Sequence, residues 1–204
     1  MKKGFTIIEL MMVVAILAVL LGIITTAATA SIHQARERRA QAIKQTLQNG
    51  IAAYRARKDE WPGKLENWAE QQNKGTVGFL SNGDYDEVMQ VLLKASAGKS
   101  PKNRVMDPVG LLVMSASAED GKTGGMDYRA VATKNHKYAK RMSSNEMTVV
   151  YPAKDTGKTY RYVIEYNTES DSVTVMTQGE FHSKWSELTN GRESKYWRGT
   201  EEWH

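Results

Sequence analysis

Gly4-Phe5-Thr6-Ile7-Ile8-Glu9-Leu10-Met11-Met12-Val13-Val14-Ala15-Ile16-Leu17 follows Met1-Lys2-Lys3 at the head of a 204-residue chain, and no charged residue occurs from Leu10 through Ile32. Those twenty-three uncharged residues exceed the roughly 20 needed to cross bilayer hydrocarbon at about 1.5 Å per helical residue. One carboxylate, Glu9, stands at the start of this run. An ionised acid within a spanning helix costs on the order of 3 kcal/mol on insertion scales. A cation supplied by another chain is the compensation this placement calls for.

Three readings of the segment compete. A secretory signal has a basic start, an apolar stretch of about 7–15 residues and a small-residue cleavage site. Lys2 and Lys3 supply the first feature and Ala28-Thr29-Ala30 the last, with release at Ser31, but the apolar run is too long and Glu9 sits where acids are disfavoured. A plain anchor fits the length and leaves Glu9 unexplained. The third reading cuts between Gly4 and Phe5 and keeps the helix on the mature chain.

The stretch from Gly4 to Leu17 resembles the N-terminus of type IV prepilins and type II secretion pseudopilins. The resemblance implies cleavage after Gly4 by a membrane-bound aspartic peptidase, methylation of the new N-terminal Phe5, and a part for Glu9 in assembly. It further implies helix–helix packing through residues 5–21, with Ile7, Ile8, Leu10, Val14, Leu17 and Leu21 as contacts. Elementary electrostatics gives this a rationale. Cleavage exposes an ammonium at Phe5 one helical turn from Glu9, and Glu9 of an incoming chain can neutralise that amine on the last chain added. Setting axial register is the best-attested use of a buried ion pair. The sequence departs from the family in two ways. Thr26 stands about where many members carry a kinking proline, and Arg36, Arg38, Arg39 and Lys44 outnumber Lys2 and Lys3, so a flanking-cation count alone points the N-terminus outward.

Beyond the apolar run, Ala40, Ile43, Leu47, Ile51 and Tyr54 recur at three and four residues and predict one apolar stripe, with Arg36, Glu37, Gln41, Lys44, Gln45 and Gln48 elsewhere on the helix. Gly50 weakens it by about 1 kcal/mol against Ala. Trp61-Pro62-Gly63 is the stop, because Pro62 restricts its predecessor and lacks an N–H. A single helix near 80 Å long is therefore expected from Phe5 to about Lys58. Ala42 to Tyr54, followed by Asp59-Glu60-Trp61-Pro62, resembles the corresponding helix end of G-type pseudopilins.

The remainder reads as a mixed head. Residues 59–83 are expected to form a loop with a short turn or helix at residues 65–71, anchored by Trp61, Trp68, Phe79 and Tyr85. A helix capped by Asp84, with Glu87 closing a capping box, shows Val88, Val91, Leu92 and Ala95 on one face and ends at Ala97-Gly98. Strands are expected at residues 109–115, 126–133, 147–152, 159–166 and 172–178. Tyr160, Tyr162, Ile164 and Tyr166 alternate with Arg161, Val163 and Glu165 as in a half-exposed strand. Asp107-Pro108-Val109-Gly110 resembles the Asp-Pro-Trp-Gly turn of some pseudopilins. About four strands packed as an antiparallel meander on the helix make an α+β, pilin-like fold. The organisation is a leader at 1–4, a transmembrane and assembly helix at 5–32, its amphipathic continuation at 33–58, a head at 59–180, and a polar tail at 181–204 containing Trp185, Trp197 and Trp203.

Composition narrows the chemistry. A net charge of +5 demands no polyanionic partner, and zero cysteines remove disulfides, thiol catalysis and thiolate metal sites. Many major pilins close their C-terminal region with a disulfide, so its absence tilts the resemblance towards a pseudopilin or minor pilin. Gly98-Lys99-Ser100, Gly121-Lys122-Thr123 and Gly157-Lys158-Thr159 fail as phosphate loops, because Leu93, Ala116 and Pro152 stand where a second glycine is needed. His33, His136, His182 and His204 have no metal-ligand spacing, and no catalytic constellation exists, so no enzyme is expected. G-type pseudopilins bind calcium in a C-terminal loop, and Asp155, Glu165, Glu169 and Asp171 lie in comparable sequence. Asn167, Glu169 and Asp171 are spaced by two like the start of a calcium loop, but nothing completes the pattern. They read as a hairpin turn, with calcium a weak candidate and no other cofactor expected. Lys134 to Arg141, with four cations in eight residues, reads as a solvated loop, and nucleic acid is an unlikely partner.

The leading expectation is a structural filament subunit. Its partners would be copies of itself, related pilins, a prepilin peptidase and an inner-membrane assembly platform. The chain would be single-pass in the inner membrane with a periplasmic head, then part of a periplasmic or extracellular filament. The alternative is a membrane-anchored or Sec-released periplasmic binding protein or adhesin that acts without polymerising.

Overall fold

The computed structural model describes residues 6–63, 65, 77–97, 99–131, 146–154, 156–167 and 169–189. A 52-residue helix, α1 (Ile7–Lys58), dominates it. Thr6 caps its start, accepting from the Glu9 N–H while the Glu9 carboxylate bonds the Thr6 N–H, so the first turn closes as a reciprocal box. At the other end Asp59 adopts φ 59° and its N–H returns to the Arg55 carbonyl. The helix thus stops two residues before the expected Trp61-Pro62 breaker. Arg55, Arg57 and Lys58 in the last turn complement the helix dipole. The helix runs unbroken through Thr26, and the hydroxyls of Thr25, Thr26 and Thr29 bond back to carbonyls three and four residues earlier. Each polar group is therefore satisfied inside the helix, as lipid surroundings require.

The upper half of α1 carries the head. Ala40, Ile43, Leu47 and Ile51 are buried, and Tyr54 packs at the edge of the core. Gly50 belongs to this face for a steric reason. A Cβ there would stand 3.0 Å from the Met106 Cβ, so a close approach compensates the lost helix propensity.

Among the described residues, seven short strands form two antiparallel sheets where one meander was expected. The first has the order β1-β6-β7, from β1 (Val77–Phe79), β6 (Val163–Asn167) and β7 (Ser172–Met176). The second has the order β3-β2-β4-β5, from β2 (Leu112–Ser115), β3 (Met126–Asp127), β4 (Met147–Pro152) and β5 (Thr159–Tyr160). The expected strand at residues 159–166 is broken at Arg161 and Tyr162, where the chain leaves one sheet for the other. Its alternation misled because both of its faces are covered: Arg161 and Glu165 are buried along with Tyr162 and Ile164. The expected strand at residues 126–133 turns after two residues into a helical turn, α3 (Tyr128–Val131). β1 lies within what the sequence presented as loop.

Ser81 caps α2 (Asn82–Ser96), three residues before the expected Asp84, and its hydroxyl also donates to the Asp84 carboxylate at 2.9 Å. The buried face is Tyr85, Val88, Met89, Leu92 and Leu93, so Val91 and Ala95 sit to one side of it. Asp107 to Leu111 form the expected turn. The Asp107 carboxylate accepts from the Val109 N–H, Leu111 N–H returns to the Pro108 carbonyl, and Gly110 takes φ 96°, which favours glycine. The start of the expected tail at residue 181 lies within a helix, α4 (Gln178–Thr189). Phe181 is buried with its ring 4.9 Å from Phe79, and Trp185 lies 6.2 Å from the same ring. Residues 190–204, all but Leu65 of the expected turn or helix at 65–71, Trp68 and the basic stretch 134–141 lie outside the described residues.

Two side chains join the layers in ways the sequence did not announce. β7 is an edge strand, and the Gln48 amide of α1 covers that edge, donating to the Val173 carbonyl and accepting from the Val175 N–H at 2.7 Å. The strand therefore has its open backbone groups satisfied by a helix. Tyr162 donates its hydroxyl to the Ala40 carbonyl at 2.6 Å, and burial pushes that phenol well above its usual range.

Candidate functional site

The lower half of α1 stands exposed along its length. From Ile7 through Ile32 every residue is exposed, and this helix is long and apolar enough to cross a membrane. The expected packing residues Ile7, Ile8, Leu10, Val14, Leu17 and Leu21 are 53–78 % exposed, on all sides of the helix. A helix apolar all round is stable only when surrounded by lipid or by other apolar helices. The same sequence switches to a one-sided stripe at Ala40, where the buried face of α1 begins.

Glu9 is the sole acid of this segment. Its Oε2 accepts from the Thr6 N–H at 2.8 Å and the Thr6 hydroxyl at 2.9 Å, so the side chain is turned back towards the N-terminal end of the helix. Oε1 has no hydrogen bond among the described residues. Gly4 and Phe5 lie outside the described residues, so the cleavage position is legible in sequence alone.

Of the weak calcium candidates, Asn167 and Asp171 make other contacts. The Asn167 side chain accepts from the N–H groups of Glu169 and Ser170 and shapes the β6–β7 turn, where Asp171 takes φ 45°. The Asp171 carboxylate receives Arg55 at 2.6 Å, the Tyr166 hydroxyl at 2.8 Å and the Trp61 indole N–H at 3.1 Å. Glu165 faces Lys184 of α4. No cluster of three metal-ligating side chains occurs among the described residues. His33 meets the Lys154 carbonyl through Nδ1 at 2.7 Å, and His182 lies exposed beside Phe181.

The feature the sequence hid is Arg161. All five of its guanidinium N–H donors find acceptors: Nε and Nη2 grip the two Asp86 oxygens at 2.8 and 2.9 Å, Nη1 meets Asp120 and the Ala118 carbonyl, and Nη2 meets the Ala116 carbonyl. Burial works against the guanidinium charge, but the two carboxylates outweigh it and hold its pKa above the ordinary value. Burial pushes the Asp120 carboxyl up, with Arg161 opposing. This cluster ties α2, the loop after β2 and the junction of β5 with β6. It is a structural clasp, with the arginine side chain 4 % exposed.

An α+β head on an exposed apolar helix with one acid at its start is a pilin-like build. Residues 1–25 match the family model for the prokaryotic N-terminal methylation motif, the signature of the prepilin-type N-terminus of type IV pilins and pseudopilins. The match covers the first 25 residues of 204, and the signature is one that prepilin peptidase processes. No curated protein and no solved structure matches the chain.

Proposed function

We propose that the chain is a subunit of a type IV pilus-like or type II secretion pseudopilus filament. The observation that carries this reading is the wholly exposed apolar half of α1 with Glu9 at its start, within a prepilin-type motif. The precursor sits in the inner membrane with its head in the periplasm. Prepilin peptidase removes residues 1–4, and Phe5 is methylated. Subunits then pack through residues 5–21, where loss of lipid contact is compensated by helix–helix contact. Glu9 of an arriving subunit neutralises the Phe5 amine of the previous one, and each unpaired charge in that dry bundle opposes any other register. The extracting work is done by an assembly machine, because the chain has no phosphate-binding loop.

Two substitutions test the role of Glu9. Glu9→Ala is expected to leave the chain stable in membranes and to abolish filaments. Glu9→Gln retains an acceptor for the Thr6 N–H and removes the charge, so it separates helix capping from charge pairing and is expected to fail in assembly as well. Filaments of normal length and number from Glu9→Gln would overturn the pairing.

A further inference from the structure

We infer that a groove at the membrane-facing end of the head holds the headgroup of an anionic phospholipid. This rests on the reading of residues 10–32 as inserted in a bilayer. Ile32, Arg36 and Arg39 of α1 form one side of the groove, and Gly124, Gly157 and Pro152 from the head loops form the other, around about 390 Å³. The spacing of the three α1 residues puts them on one helical face.

The location follows from chain geometry. The exposed apolar run ends at Ile32, and Arg36 lies about 6 Å further along at about 1.5 Å per residue. A headgroup layer is about 5–8 Å thick on each side of the hydrocarbon, so the Arg36 guanidinium belongs in it. The nearest part of the head is the turn carrying Lys154, whose carbonyl meets His33 at 2.7 Å and Arg36 at 3.4 Å.

Among the described residues, Arg36 brings to the groove a guanidinium with no carboxylate beside it, while Arg39 shares its guanidinium with Asp127. Arg39 pairs with Asp127, Lys154 with Glu37 and Lys122 with Glu119. Arg36, Arg38 and Lys158 have no carboxylate partner among the described residues, and Arg38 and Lys158 are exposed. Gly157, at φ 67°, keeps the groove open, because a Cβ there would press to 3.3 Å from the Arg36 Nη2. A phosphodiester seated between Arg36 and Arg39 leaves its acyl chains running along Ile32 and the apolar helix. The excess of cations after the membrane run, at odds with a simple count of flanking charges, then has a use: it fixes the height of the head on the leaflet before assembly.

The test is native mass spectrometry of the unassembled full chain, extracted into detergent from vesicles of equal phosphatidylcholine and phosphatidylglycerol. The expected spectrum shows one phosphatidylglycerol retained per chain. Arg36→Gln/Arg39→Gln should lower retention roughly 25-fold, about fivefold per cation near an anionic surface. Arg57→Gln, at the far end of α1, should leave it unchanged. Should the double variant melt early, Arg36→Gln alone serves, with about a fivefold loss. Equal retention of both lipids, retention unaltered in these variants, or displacement of the lipid by millimolar inorganic phosphate each overturns the assignment. The assay does not involve polymerisation, so a failure here is distinct from normal filaments in Glu9→Gln.

Discussion

Arg161 and Asp86 meet as a two-pronged ion pair, Nε to Oδ1 at 2.8 Å and Nη2 to Oδ2 at 2.9 Å, with the arginine side chain 4 % exposed. Asp120 completes the cluster at 2.8 Å. Removing one partner of such a buried group leaves an uncompensated charge, which costs about 3–5 kcal/mol. Arg161→Ala is therefore expected to unfold the head at markedly lower urea concentration, and Arg161→Lys, which keeps the charge but loses the fork, to fall between it and the wild type. Equal urea midpoints for Arg161→Ala and the wild type would contradict the clasp.

The two halves of α1 respond differently to truncation. Leu47 is fully buried, and Leu47→Ala should destabilise the detergent-solubilised chain by about 2–5 kcal/mol. Leu17→Ala should leave the thermal transition of the head unmoved, because that side chain is 53 % exposed, and should weaken filament formation instead. A melting-temperature drop in Leu17→Ala comparable with that of Leu47→Ala would show that residues 7–32 pack on the head.

Gly50 separates local propensity from packing. A larger residue gains helix propensity but meets Met106 at 3.0 Å, and overpacking of this kind costs about 1–3 kcal/mol. Gly50→Val is expected to lower the thermal transition, and a rise would show that Met106 yields freely.

Glu180 sets an acid limit for α4. Burial opposes its ionisation, but hydrogen bonds from Lys44 and the Thr177 N–H outweigh that and hold its carboxyl below the usual range. A depressed folded-state pKa contributes stability above the unfolded value, about 4.3, and loses it as pH falls through the folded value. Urea midpoints should thus decline below about pH 4.3, and Glu180→Gln should flatten part of that decline. An unchanged pH profile in Glu180→Gln would mean that other carboxyls govern it.

Periodicity made α1 legible, because its apolar stripe is long and its caps are local: the expected end at Lys58 matches the structure. The uncharged run from Leu10 to Ile32 was legible from its length and composition. What sequence could not show depends on residues far apart in the chain. Arg161 and Glu165 alternate with apolar residues as a half-exposed strand does, and only the approach of Asp86, Asp120 and Lys184 lets them be buried. Gln48 reads as a solvent-facing helix residue until β7 arrives with an uncovered edge. α4 is weakly amphipathic, and Phe181 is its main apolar anchor, so its docking depends on Phe79 a hundred residues earlier. The cap of α2 was misread because Ser81 and Asp84 both suit the position, and their mutual hydrogen bond decides for Ser81.

The intact mass of the chain purified from its own membranes tests the filament account most directly. The account predicts a chain that begins at Phe5 and carries one added methyl group. A chain that begins at Met1, or at Ser31 after loss of the whole apolar run, contradicts it.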